Sequence, residues 1–261
     1  MLWTRVASGV VLAPLFLLLV YLEFPYFHLL VAAIAGVMAW EFTHMDGRIG
    51  KKRSAFVIVA ALGAVAAVSF GQWLPALALI AVATITLAAA DQVAGRKGFY
   101  IVQIAVVYVA LPAISLLYVM SVDGAVSIFW LLAVVWATDI GAYAFGRMIG
   151  GPKLAPSVSP NKTWSGAVGG LVSAIVISTA VVVGFGVQVT ALLGALAGGL
   201  SVVSQAGDLF ESGLKRHYQV KDSGALIPGH GGVMDRFDGL WFAAPFAALV
   251  ALALGGGMQS W

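Results

Sequence analysis

The sequence predicts an all-α, polytopic integral membrane protein of about nine transmembrane helices, its N-terminus cytoplasmic and its C-terminus external. Three observations carry this expectation. The 261 residues are 61% hydrophobic and 10% charged, whereas about a quarter of an ordinary soluble domain is charged. The apolar residues fall into successive runs of about 20, the helix length that crosses roughly 30 Å of hydrocarbon with every backbone group paired internally. All 14 Lys and Arg lie either before the first run or in the even-numbered gaps between runs.

Length and hydropathy place the spans at 6–22, 26–44, 54–70, 73–90, 99–120, 125–146, 164–184, 188–206 and 238–256. The first run, VASGVVLAPLFLLLVYLEF, exceeds the ~7–15-residue core of a secretory signal and leads into bulky EFPYF instead of a small-residue cleavage site, so a retained helix is expected. Odd-numbered gaps (YLEFPY, FGQWLP, SVDGAV, GFGVQV) contain no cation. The even-numbered gaps hold Arg48, Lys51, Lys52 and Arg53, then Arg96 and Lys97, then Arg147, Lys153 and Lys162, and finally Lys215, Arg216, Lys221 and Arg236, with Arg5 ahead of them all. The positive-inside rule puts those gaps in the cytoplasm and the tail GGGMQSW outside; for a bacterial source this means the inner membrane. A single membrane domain, 1–261, is expected, with N-terminal helices in 1–98 and C-terminal helices carrying the cytoplasmic loops in 99–261. The absence of cysteine excludes disulfides, thiolate ligands and cysteine nucleophiles. The net charge of +3 is accounted for by these loop cations, so no nucleic-acid partner is expected.

Two even-numbered gaps are long and chemically mixed, the pattern of functional loops. In KDSGALIPGHGGVMDRFDG, Asp235 and Asp238 are three residues apart, on one face if the last helix begins there. Asp208 and Glu211 repeat that spacing at the end of the eighth run. Paired carboxylates without cysteine or clustered histidine suit a hard ion such as Mg²⁺. Lys215, Arg216, Lys221 and Arg236 lie among them; they either neutralise the acids directly or join them through a bound polyanion. The PGHGG turn favours the polyanion, because Gly229, Gly231 and Gly232 allow a tight backbone whose amides can face phosphate ahead of a helix start. His230 binds phosphate or positions a water in one reading, and is a hydrogen-bonding strut in the other. The mixture is what phosphoryl or nucleotidyl transfer needs.

Asp139 lies within the apolar run LLAVVWATDIGAYAFG, where an ionisable side chain is costly; it lines a polar cavity or satisfies a structural hydrogen bond. Glu41, at the inner end of the second run, is read as an anchor for the basic gap that follows. Gly166 with Gly170, and Gly194 with Gly198, have the spacing that lets membrane helices approach closely, within one chain or between two.

Ser212, Lys215, Arg216, Lys221, Asp222, Pro228, His230, Gly231, Gly232, Asp235, Arg236 and Asp238 closely resemble the C-terminal pattern of the phosphatidate cytidylyltransferases, or CDP-diacylglycerol synthases. TDIGAYAFGRMIG and PKLAPSVSPNKTWSGAVGG are similar to that family as well, while the first four runs match it only in hydropathy. Gly239 stands where the family usually has Ser, and Ser165 where Glu is usual, so position 165 is given no metal role. The resemblance implies transfer of a cytidylyl group from CTP to phosphatidic acid with Mg²⁺, beside a second, monovalent or divalent cation. It implies Asp208 and Asp235, then Asp222 and Asp238, as metal ligands. Lys215, Arg216, Lys221 and Arg236 contact triphosphate or lipid phosphate by the same likeness, and His230 and Asp139, from the reading of the residues above, join them as catalytic candidates. Ser159, Asn161, Lys162 and Thr163 of SPNKT, with Ser212, Gly231 and Gly232, form the substrate wall, and a homodimer in the lipid bilayer is implied. Two other classes stay open. A transporter would use Asp139 as a midplane ion site, though no repeat between halves is evident. A CDP-alcohol phosphotransferase needs further spaced aspartates after Asp-Gly, and LWFAAPF supplies none.

Overall fold

The computed structural model describes residues 2–45, 47, 49–95, 100–227, 229 and 231–261; the side chains of 2–9, 100 and 101 lie outside that description, as do Pro228 and His230. Among the described residues the chain forms α1 (Leu2–Tyr21), α2 (Tyr26–Met45), α3 (Lys51–Ser69), α4 (Trp73–Val93), α5 (Tyr100–Asp123) and α6 (Ala125–Ile149). A hairpin follows, β1 (Lys153–Ala155) and β2 (Ser159–Thr163), then α7 (Trp164–Gly184), α8 (Ala191–His217) and α9 (Met234–Leu254). Eight of these helices are long and apolar enough to cross a membrane, and α1 contributes the shorter apolar stretch Val10–Tyr21. The protein is an all-α, polytopic integral membrane protein. Pro14, Pro112 and Pro245 sit inside helices, which spans tolerate because packing and local adjustment re-satisfy the freed carbonyl.

Most boundaries lie within four residues of the hydropathy reading, α1 starting at Leu2 instead of 6, and two of the differences have a visible cause. Hydropathy ends the eighth span at 206, but α8 continues to His217, since its charges are spaced for a helix: Lys215 Nζ donates to Glu211 Oε1 at 3.0 Å, four residues back. The last helix starts at Met234 instead of 238, because its first amides are capped by a carboxylate from elsewhere in the chain. The Pro-rich sixth gap is a two-stranded antiparallel hairpin, with Lys153 opposite Thr163 and Ala155 opposite Ser159.

The chain divides into two compact units, Met1–Leu117 with Val220–Arg236, and Tyr118–Gln219 with Phe237–Trp261. In the first, α2, α3 and α4 pack in succession around Val31, Met38, Phe42, Val57, Ala61 and Ala64. Two polar contacts tie these helices together. Thr43 and Ser54 share a hydrogen bond at 2.7 Å, and Arg53 of α3 pairs with the buried Asp91 of α4.

In the second unit, α6 and α7 make the closest helix pair. A Cβ on Gly166 would lie 2.7 Å from the Ala142 carbonyl oxygen, and one on Gly170 would lie 2.8 Å from that of Thr138. Backbone therefore meets backbone, the approach that small residues permit between membrane helices. Thr163 starts α7, its Oγ1 accepting from Gly166 N–H at 3.1 Å. The C-terminal segment folds back onto this unit: Asp123 Oδ2 accepts from Ser127 Oγ at 2.9 Å and Gln259 N–H at 3.0 Å.

Candidate active site

The first unit holds the glycine loop and the start of α9. Ile227 N–H donates to the Gly231 carbonyl at 2.9 Å, closing a turn in which Gly229 and Gly231 have φ of 79° and 86°. Both values lie in the left-handed region, which glycine enters without a Cβ penalty. Beyond the turn, three amides point at carboxylates of the same unit. Gly232 N–H donates to Asp235 Oδ2 at 2.9 Å, Val233 N–H to Glu41 Oε1 at 2.8 Å, and Met234 N–H to Glu41 Oε2 at 2.8 Å. Ser223 joins the two acids: its Oγ lies 3.0 Å from Asp235 Oδ2 and 3.2 Å from Glu41 Oε2, and its N–H donates to Asp235 Oδ2 at 2.9 Å. A Cβ on Gly232 would sit 2.7 Å from both Glu41 oxygens. Thus the Gly232 amide, which the sequence offered to phosphate, is donated to Asp235. Lys221, Asp222 and Arg236 are exposed around this cradle, and His230 lies outside the described residues.

The second unit holds a carboxylate cluster of its own. Asp208, Glu211, Ser212 and Lys215 fall at i, i+3, i+4 and i+7 on α8, one face of the helix. Glu211 is fully buried, while Ser212 Oγ donates to Asp208 Oδ1 at 3.4 Å. Lys162 of β2 forms an ion pair with Asp208 Oδ2, which ties the hairpin to α8. Arg216 Nε donates to the Val158 carbonyl at the hairpin turn, at 3.4 Å. Asp238, half-buried in α9, accepts from Gly239 N–H at 2.7 Å and has Asp208, Asp139 and Lys215 as charged neighbours. Asp139 is exposed on α6, with Gly141 of that helix packed on α7.

The other predicted substrate contacts divide. Ser159 is half-buried and Asn161 exposed on the hairpin, whereas Thr163 is buried with its hydroxyl engaged in capping α7. Ser165, where the family usually has Glu, bonds Gly150 O and Thr163 Oγ1.

In the second unit the carboxylates Asp139, Asp208, Glu211 and Asp238 thus neighbour the ammonium groups of Lys162 and Lys215. Carboxylate oxygens are hard donors of the kind divalent cations take. Among the described residues no three such side chains form a complete metal cage.

Sequence reasoning missed the role of Glu41 and the part played by Ser223. A signal was available for Glu41. A carboxylate in an apolar helix needs donors, and the N-terminal amides of α9 are donors without intrahelical acceptors.

Comparison with known proteins gives the same direction. The chain is 56% identical over 127 residues to a phosphatidate cytidylyltransferase of Brucella suis biovar 1 (strain 1330), covering 46% of this chain and 45% of that protein. It is 46% identical over 132 residues to one from Staphylococcus aureus (strain COL), half of each chain. To the same-named protein of Staphylococcus haemolyticus (strain JCSC1435) it is 38% identical over 193 residues, 71% of this chain and 74% of that one. The matched segment thus spans about half the length of the Brucella and S. aureus relatives. A sequence model of the Cytidylyltransferase family matches residues 3–254, nearly the whole chain. With the carboxylate and lysine cluster on its helices and a match of that extent, the chain belongs to the cytidylyltransferase family.

Proposed function

We propose that the protein is a phosphatidate cytidylyltransferase, which transfers the cytidylyl group of CTP to phosphatidic acid and yields CDP-diacylglycerol and pyrophosphate for phospholipid synthesis. The observation that carries the reading is the cluster of Asp208, Glu211, Lys215 and Asp238 on helices long and apolar enough to cross a membrane, joined by Lys162 of the hairpin, a group of acids and bases suited to a cation and phosphates. The name borne by its relatives supports the choice of substrates. A lipid phosphate suits such a place, because its acyl tails remain in the bilayer while its headgroup meets a soluble nucleotide.

In this reading an oxygen of the lipid phosphate attacks the α-phosphorus of CTP. The bond from that phosphorus to the bridging oxygen breaks, and pyrophosphate leaves with the electron pair. The nucleophile is already ionised near neutrality, so no side chain must remove a proton. Mg²⁺, when bound, neutralises the phosphate chain and supports charge on the leaving group. The likeness of the sequence offers Asp208 and Asp235, then Asp222 and Asp238, as candidate metal ligands, and a second cation accompanies it. Lys162, Lys215, Arg216, Lys221 and Arg236 bind phosphate oxygens and offset charge that grows in the transition state. Ser159, Asn161 and Ser212 orient the nucleotide. The alternation of cations along the sequence supports a cytoplasmic site, the bacterial sources of its relatives support an inner membrane, and the protein acts as a homodimer.

The test is pyrophosphate release by purified protein in detergent, with Mg²⁺ and three pairings: CTP with phosphatidic acid, CTP with diacylglycerol, and ATP with phosphatidic acid. Release confined to the first pairing is expected. Equal release with ATP, or none with any pairing from folded protein, overturns the assignment.

A further inference from the structure

We infer that Glu41 is a positioning residue for the proposed reaction: from the end of α2 its buried carboxylate sets the conformation of the loop that carries Asp222 and Asp235. The inference rests on the proposed function only for its catalytic consequence. Its structural part stands on geometry within one unit of the chain.

Glu41 is fully buried, and both of its oxygens are used on the same segment. Oε1 accepts from Val233 N–H and Oε2 from Met234 N–H, each at 2.8 Å, so the carboxylate caps the start of α9 in a two-pronged way. Hydrogen bonds to a charged acceptor are about twice as strong as neutral ones, and a negative group at a helix N-terminus also gains from the helix dipole. The Glu41 carboxylate then reaches Asp235 through one intermediary. Ser223 Oγ stands between Glu41 Oε2 and Asp235 Oδ2, with a single hydroxyl proton for two acceptors. Asp235 Oδ2 is further fixed by the amides of Ser223 and Gly232.

The glycines of the segment match this arrangement. A Cβ at Gly224 would lie 2.7 Å from Glu41 Oε1, and one at Gly232 would lie 2.7 Å from both oxygens. Their lack of a side chain is what lets the loop close over the carboxylate. The sequence separation is 182 residues between Glu41 and Ser223. A residue of the second helix therefore determines the shape of a loop near the far end of the chain.

The experiment compares wild type, Glu41→Gln and Ser223→Ala in the same detergent, by hydrogen exchange of peptides across 220–240 and by steady-state kinetics with CTP, phosphatidic acid and Mg²⁺. The amide of Gln would turn a donor toward Val233 or Met234 N–H. Glu41→Gln is therefore expected to speed exchange at Val233 and Met234 at least tenfold, with exchange elsewhere in α2 to α4 unchanged. Its kcat is expected to fall at least tenfold while KM for CTP stays within twofold, and the Mg²⁺ concentration for half-maximal rate is expected to rise. Ser223→Ala keeps both Glu41 caps, so slow exchange at 233 and 234 together with a several-fold lower kcat is expected. Two results overturn the inference: unchanged exchange at 233 and 234 in Glu41→Gln, or faster exchange spread evenly over the unit. So does a kcat within twofold of wild type in both variants. Should Glu41→Gln not fold, the Ser223→Ala kinetics decide, since that change leaves the caps of α9 in place. If wild type itself shows no turnover with CTP, the proposed function fails, while the exchange data still judge the role of Glu41 in the loop.

Discussion

Gly170→Ala and Gly194→Ala form a matched pair, because both replace a glycine in the body of a helix. On propensity alone each change favours the helix by about 1 kcal/mol. The surroundings differ. At Gly194 a Cβ would meet nothing within 4 Å, whereas at Gly170 it would lie 2.8 Å from the Thr138 carbonyl oxygen and 3.2 Å from Ala142 Cβ. Restoring the 3.4 Å of ordinary contact to that oxygen requires a shift of about 0.6 Å between α6 and α7. The obstacle is backbone, so no side chain can swing aside. Overpacking of this kind costs about 1–3 kcal/mol. Propensity cancels between the two variants, so the difference in stability should equal that packing cost. Thermal unfolding of the detergent-purified variants, followed by tryptophan fluorescence and circular dichroism, measures it. Gly194→Ala should unfold at or above the wild-type midpoint and Gly170→Ala clearly below Gly194→Ala. Equal midpoints would refute the close α6 and α7 packing.

Thr163→Ala removes the cap from α7 and should cost about 1 kcal/mol in the same assay, whereas Thr163→Ser, which keeps the acceptor oxygen, should cost less than half of that. Asp208→Asn discards both the ion pair to Lys162 and a proposed Mg²⁺ ligand; kcat should fall at least a hundredfold, about 2.7 kcal/mol in barrier, with the unfolding midpoint close to wild type, and near-normal turnover would remove Asp208 from the site. Asp123→Ala releases the backbone of Gln259, so the Gln259 amide should exchange at least fivefold faster while turnover stays within twofold of wild type.

Much of the fold was legible because bilayer physics is strict. A span must be long, apolar and internally hydrogen-bonded, and the helices from α2 to α7 begin and end within a few residues of the hydropathy boundaries. The reading failed where charge and helix coexist. Hydropathy stops at 206, yet the helix continues, because the pair of Glu211 and Lys215 supports it and the polar residues share one face. The hairpin at Lys153–Thr163 was hidden behind its prolines, whose density suggests irregular loop although only β2 carries one, Pro160. The chemistry of the site was legible as types and spacings: the acids and bases of GDLFESGLKR do lie along one helix. Their partners were not legible. Lys162 reaching Asp208 and Glu41 reaching Val233 are tertiary contacts, and no local pattern announces them. The two glycine pairs were indistinguishable in sequence, since spacing alone records that a helix can be approached and not whether it is. Gly166 and Gly170 meet the backbone of α6, whereas Gly194 faces open space and Gly198 touches Ile175 at 3.5 Å.

The central claim is cytidylyl transfer to a lipid phosphate, and the fate of the α-phosphate tests it most directly. Purified protein in detergent would be supplied with Mg²⁺, phosphatidic acid and CTP labelled at either the α- or the γ-phosphorus, and the lipid and aqueous phases counted separately. α-Label is expected in the lipid, stoichiometric with pyrophosphate that carries the γ-label in the aqueous phase. Label from the γ-position in the lipid would mean phosphoryl transfer instead, and no label in the lipid from either nucleotide would contradict the account outright.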